Sequence, residues 1–124
     1  MSKTKTVTLV KFGGAVITNK EVPNQVRWEV LRRLVKELAE VWQLHQGSLV
    51  LGNGAGSFAH VPASLYQTKH GFISEESRIG MAITQDSAAQ LNRLVIKECI
   101  AAGLPAVSVS PSNSMLTKAG EPAH

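Results

Sequence analysis

The 124-residue sequence predicts an α/β fold, a three-layer α/β/α sandwich on a mainly parallel sheet. Three observations predict it. Short β-branched or aliphatic runs stop at the glycine-rich segments Gly13-Gly14 and Gly52 to Gly56. Amphipathic stretches of helical period lie between and after those runs. The resulting order, β-loop-α-β-loop-α-α-β, calls for crossover connections between parallel strands. The length suits one modest domain with a single core.

Val7 to Phe12 reads as a strand feeding a tight loop at Gly13-Gly14. Asn24 is a candidate cap for the helix that follows. In that helix Val30, Leu31, Leu34, Val35, Leu38, Val41 and Trp42 recur at three- and four-residue steps, and Arg32, Arg33, Lys36, Glu37 and Glu40 fill the other face. Gly47 is its natural stop. Ser48 to Leu51 is apolar without alternation, as expected of a strand covered on both faces. Phe58 to Tyr66 suits a helix despite Pro62. Glu75-Glu76 suits the first turn of the next helix, where acidic side chains favour the dipole. That helix carries Ile79, Ile83, Leu91, Leu94, Val95 and Ile100 and ends near Gly103. Ala106 to Val109 is the third expected strand, and Asn113 to Thr117 could start another. Three parallel strands with open edges make a thin sheet, so the chain reads as truncated.

Composition narrows the function. The formal charge of +4 comes from scattered bases with no interleaved aromatics, which argues against nucleic-acid binding and suits a small anionic substrate. Cys99 is the one cysteine, so no disulfide framework forms within the chain, and its helical setting suits a small buried side chain rather than a nucleophile. His45, His60, His70 and His124 lack ligand spacing, so no metal site is expected. No segment has the length of apolar residues that a membrane helix needs, and no apolar run follows the first lysines as in a signal peptide. A soluble cytoplasmic protein without membrane partners is the expectation.

The chemistry rests on Lys11 to Lys20 and on Gly52 to His60. Each segment follows a strand, so both loops should leave the carboxyl edge of the sheet, where open α/β sheets bind ligands. Gly13, Gly14, Gly54 and Gly56 let the backbone approach a phosphate and turn N–H groups toward it. Lys11 and Lys20 could supply positive charge, Ser57 a hydroxyl, and Asn92 an amide reaching the site. The second loop has neither the Gly-Lys-Ser/Thr ending of a P-loop nor the spacing of a dinucleotide fingerprint. A Ser-His-Asp hydrolase fits poorly, because Ser57 lacks a nucleophile elbow and no acid is fixed for His60.

Together these segments resemble the isopentenyl phosphate kinases of the amino acid kinase superfamily. That family opens with a strand ending in Lys, then Gly-Gly-Ser-Val-Ile-Thr and a second Lys, similar to Lys11 to Lys20. Its second loop, His-Gly-Gly-Gly-Ser-Phe-Gly-His, is similar to Asn53 to His60, and the later pieces are similar to Leu91-Asn92 and Gly103 to Val109. The resemblance implies that residues 1–124 form the amino-terminal, phosphoacceptor-binding half of an amino acid kinase domain, with the nucleotide-binding half absent. It implies transfer of the γ-phosphoryl group of ATP, with Mg2+ carried on the nucleotide, to isopentenyl phosphate or a similar phosphomonoester. His60 would hydrogen-bond the acceptor phosphate, and Gly54, Ala55 and Gly56 would offer it backbone N–H groups. Lys11 and Lys20 would neutralise phosphoryl oxygens beside Gly13 and Gly14. The superfamily commonly dimerises through this half, so a homodimer is allowed. Ala15, Asn53, Ala55 and Ala59 depart from the family's Ser, His, Gly and Gly. A superfamily member with another acceptor, or a non-catalytic phosphate-binding or interaction module, are the alternatives.

Overall fold

The computed structural model describes residues 6–45, 48–111, 116–118 and 121–123. Strand β1 (Val7–Phe12) pairs in parallel with β2 (Ser48–Asn53), so that Val10 lies opposite Leu51 and Phe12 opposite Asn53. A single helical turn, α1 (Gly14–Ile17), follows β1 directly. The crossover between the two strands is α2 (Trp28–His45), and β2 leads into α3 (Gly56–Tyr66). A 3-10 turn at Thr68–His70 precedes the long α4 (Ser77–Ala101). Two short strands, β3 (Leu116–Lys118) and β4 (Glu121–Ala123), pair antiparallel.

Strand alternation decides where the core sits. Val10 and Phe12 of β1 and Leu49 and Leu51 of β2 share one face, and they pack with Leu31, Val35 and Leu38 of α2 and Leu91, Val95 and Cys99 of α4. The period-3.6 stripe of α2 is what supplies this contact, as its sequence predicts. The opposite sheet face is open among the described residues: Leu9 is 76% and Val50 53% exposed. β2 therefore alternates instead of being covered on both faces, because the described helical layer lies on one side only.

Three local expectations change. α2 begins at Trp28, where the Leu31 N–H donates to Arg27 O at 3.0 Å; Asn24 is not its cap. Asn24 takes the left-handed conformation (φ 57°), one that asparagine tolerates, and its N–H reaches Ser57 O. Residues 104–110 adopt no regular structure, so the third strand expected at Ala106 to Val109 does not join the ladder. Val107 and Val109 are over 80% exposed there, whereas Ala106 packs on the core. Glu75 and Glu76 stand just before α4 instead of in its first turn.

Other signals hold. Gly103 (φ 91°) ends α4: its N–H donates to Ile100 O and the next N–H, of Leu104, to Cys99 O, the paired bonds of a Schellman motif. Leu104 then returns to the core. Gly47 and residues 113–115 lie outside the described residues, while Leu116 and Thr117 do fall in a strand.

Candidate functional site

Because β1 and β2 are parallel, the loops after them leave the same edge of the sheet. They meet backbone to backbone. A Cβ added at Gly14 would lie 2.4 Å from Gly56 N, and one at Gly54 would lie 2.7 Å from Gly14 N. Gly56 combines φ of 50° with a Thr18 side chain that leaves no room for a Cβ. Glycine at 14, 54 and 56 is thus required by loop-on-loop packing. Gly13 differs: an added Cβ would meet only Val16 Cγ2, at 3.6 Å. No close packing within the protein therefore demands glycine at 13.

The hydrogen bonds at this junction are specific. Gly54 N–H donates to Phe12 O at 3.0 Å, continuing the ladder into the second loop, so this N–H is committed inside the protein. Gly13 O accepts from the N–H groups of Val16 and Ile17, closing α1. The Thr18 hydroxyl, buried to 1% exposure, donates to Gly14 O at 2.5 Å and accepts the Ser57 N–H at 3.1 Å. Thr18 ties the first loop to the start of α3. Sequence reasoning missed this role, since a threonine beside an apolar residue gives no sign of which partners it will find in space.

The expected charged residues stand on the segments that enter and leave the junction, all exposed. Lys11 is opposite Gly52, one residue before Phe12 ends β1. Lys20 lies in a loop closed by Asn19, whose N–H donates to Gln25 O and whose amide donates to Gln25 Oε1 at 2.8 Å. His60 projects from the second turn of α3, and Ala55 precedes that helix without a side-chain cap. The Ser57 Oγ is buried with no hydrogen-bond partner. Ser57 also lines a cleft of about 260 Å3 with Phe58, Val61, Leu65, Tyr66 and Ile83.

Asn92 reaches this edge from α4 through another residue. Its Nδ2 donates to Asn53 Oδ1 at 2.7 Å, its Oδ1 accepts from Ser108 Oγ, and Asn53 Nδ2 donates to Gly54 O. Both ends of the Asn92 amide are engaged, so it braces the second loop from behind. Cys99 is buried, and burial, reinforced by the neighbouring Glu98 carboxylate, pushes its thiol above the usual range. Among the described residues, no three His, Cys, Asp or Glu side chains gather as metal ligands. No described helix is long and apolar enough to cross a membrane.

Known proteins are similar to this chain in sequence and fold. The chain is 34% identical over 121 residues to the isopentenyl phosphate kinase of Methanothermobacter thermautotrophicus, covering 94% of this chain and 44% of that protein. It is 28% identical over 116 residues to that of Methanocaldococcus jannaschii, covering 86% and 44%. A solved isopentenyl phosphate kinase superposes with a TM-score of 0.84 at 33% identity, over 96% of this chain and 50% of its own. The Thermoplasma acidophilum enzyme, solved as a product complex, gives 0.74 at 30% identity, over 84% and 42%. The chain spans about half the length of the relatives it matches. Its similarity to the isopentenyl phosphate kinases is therefore to part of each, as the loops led one to expect. The model of the amino acid kinase family matches residues 6–123, and this chain belongs to that family.

Proposed function

We propose that this chain is the phosphoacceptor-binding half of a kinase that transfers the γ-phosphoryl group of ATP to isopentenyl phosphate or a similar apolar phosphomonoester. The observation that carries the reading is the junction of two glycine loops at the carboxyl ends of parallel strands, with Lys11, Lys20 and His60 exposed on the flanking segments. The similarity to isopentenyl phosphate kinases supports the acceptor. The cleft beside α3, lined by Phe58, Val61, Leu65, Tyr66 and Ile83 together with Asn24 and Ser87, suits a short hydrocarbon tail.

In this mechanism an oxygen of the acceptor phosphate attacks the γ-phosphorus, the bond from that phosphorus to the bridging oxygen breaks, and ADP leaves with the electron pair. Little covalent chemistry falls to the protein, so its work is positioning and charge stabilisation. His60 and the backbone at Ala55 and Gly56 hold the acceptor phosphate. Lys11 and Lys20 neutralise charge on the transferring group, and Gly13 leaves it room. Mg2+ would come with ATP and add charge neutralisation there; the described residues include no carboxylate cluster to hold it independently.

Calorimetric titration with isopentenyl phosphate, then with ATP–Mg, tests the reading. Binding of the monophosphate without ATP is the expected result. Failure to bind the monophosphate would reject it and favour a non-catalytic interaction module.

A further inference from the structure

The loop that carries Lys20 grips the start of α3 through both backbone polar groups of one residue, Ser57. Before Lys20, the Thr18 hydroxyl accepts the Ser57 N–H; after it, the Asn24 N–H donates to Ser57 O at 3.3 Å. The same Thr18 hydroxyl donates to Gly14 O, and its backbone bridges to Val26 across the base of the loop. One buried oxygen thus bonds the first glycine loop and the first turn of α3, while its residue anchors the base of the Lys20 loop. A valine would fill the same volume and lose both side-chain bonds; Gly14 O would keep the backbone N–H of residue 18, but the buried Ser57 N–H would be left unpartnered.

We infer that Thr18 is a positioning residue that locks Lys20 and the second glycine loop into one phosphate-binding unit. The inference rests on the phosphate-site reading above. Thr18 touches no ligand itself; it fixes the base of the loop that carries Lys20 relative to the first turn of α3. Loss of that lock should weaken binding through Lys20, which a generally destabilising change would not do.

The test is a double-mutant cycle read by calorimetric titration with isopentenyl phosphate. Thr18→Val should weaken binding by about tenfold or more, whereas Thr18→Ser, which keeps the hydroxyl, should stay within about threefold of the parent. In the Lys20→Ala background, Thr18→Val should cost less than about twofold further. A full tenfold loss in that background, or an unchanged Thr18→Val protein, overturns the inference. If Thr18→Val does not fold, amide hydrogen exchange decides: at saturating monophosphate the Ser57 N–H should gain protection in the parent and gain less in Lys20→Ala, and an equal gain in both rejects the lock. A parent chain that binds no monophosphate would instead remove the functional reading beneath it, a result visible before any variant is made.

Discussion

The helix-covered face of the sheet and its loop edge are built on opposite principles. On the face, Val10, Phe12, Leu49 and Leu51 meet apolar side chains of α2 and α4, and specificity comes from volume. At the edge, side chains are nearly absent from the contact: Gly14, Gly54 and Gly56 meet through backbone, and one threonine hydroxyl holds them in register. The first region can absorb a change of shape by repacking, at a cost in stability. The second has no side chains to repack, so a single methyl must move a backbone. Stability and the geometry of the proposed site are thereby placed in separable parts of the chain.

Mutations can break that comparison. The largest effect is expected at Leu91, a fully buried core residue of α4: Leu91→Ala should lower the unfolding free energy by about 2–5 kcal/mol in denaturant titration. Phosphomonoester affinity of the folded fraction should stay near that of the parent. Next comes Gly14→Ala, whose Cβ would fall 2.4 Å from Gly56 N. It should cost about 1–3 kcal/mol of stability and also abolish measurable phosphomonoester binding, while Gly13→Ala should leave the thermal midpoint unchanged. Equal effects of the two glycine variants on stability would contradict the loop-packing account.

Smaller still are the exposed site residues. His60→Ala or Lys11→Ala should weaken monophosphate binding by about tenfold, with stability altered by less than about 0.5 kcal/mol. Intact binding in both would remove these residues from the site. The smallest effect concerns Cys99. Its folded-state thiol is raised, so below the unfolded thiol's range, about 8.5, both states keep the proton and stability is unaffected. Above that range the unfolded chain ionises first, and stability should fall as pH rises. A thiol reagent at pH 8 should label Cys99 only in denaturant; rapid labelling of the native chain would show that the α4 face is not closed.

Much of this was legible in the residues. The stripe from Leu31 to Leu38 announced the packing face of α2, and Gly103 announced the end of α4, because helix period and left-handed backbone are local properties. The two glycine loops could be placed on one edge once their strands were taken as parallel. The extended propensity of Ala106 to Val109 misled, because a strand exists only when a neighbour supplies a ladder, and here Ser108 bonds Asn92 instead. Asn24 misled for a similar reason: a capping residue type serves equally well in a left-handed turn, and its N–H found Ser57.

The sequence by itself determined the α/β class and the positions of the long helices and both glycine loops, and it named the residues proposed to meet a phosphate. Periodicity and glycine content act within a few residues, so they are readable along the chain. Only the tertiary structure decided that Gly14, Gly54 and Gly56 serve each other, that Asn92 braces Asn53, and that the Thr18 hydroxyl ties residues 14 and 57 together. Among them, the Thr18–Ser57 and Asn53–Asn92 hydrogen bonds each join residues 39 apart. Their existence depends on a register between β1 and β2 that no local pattern encodes.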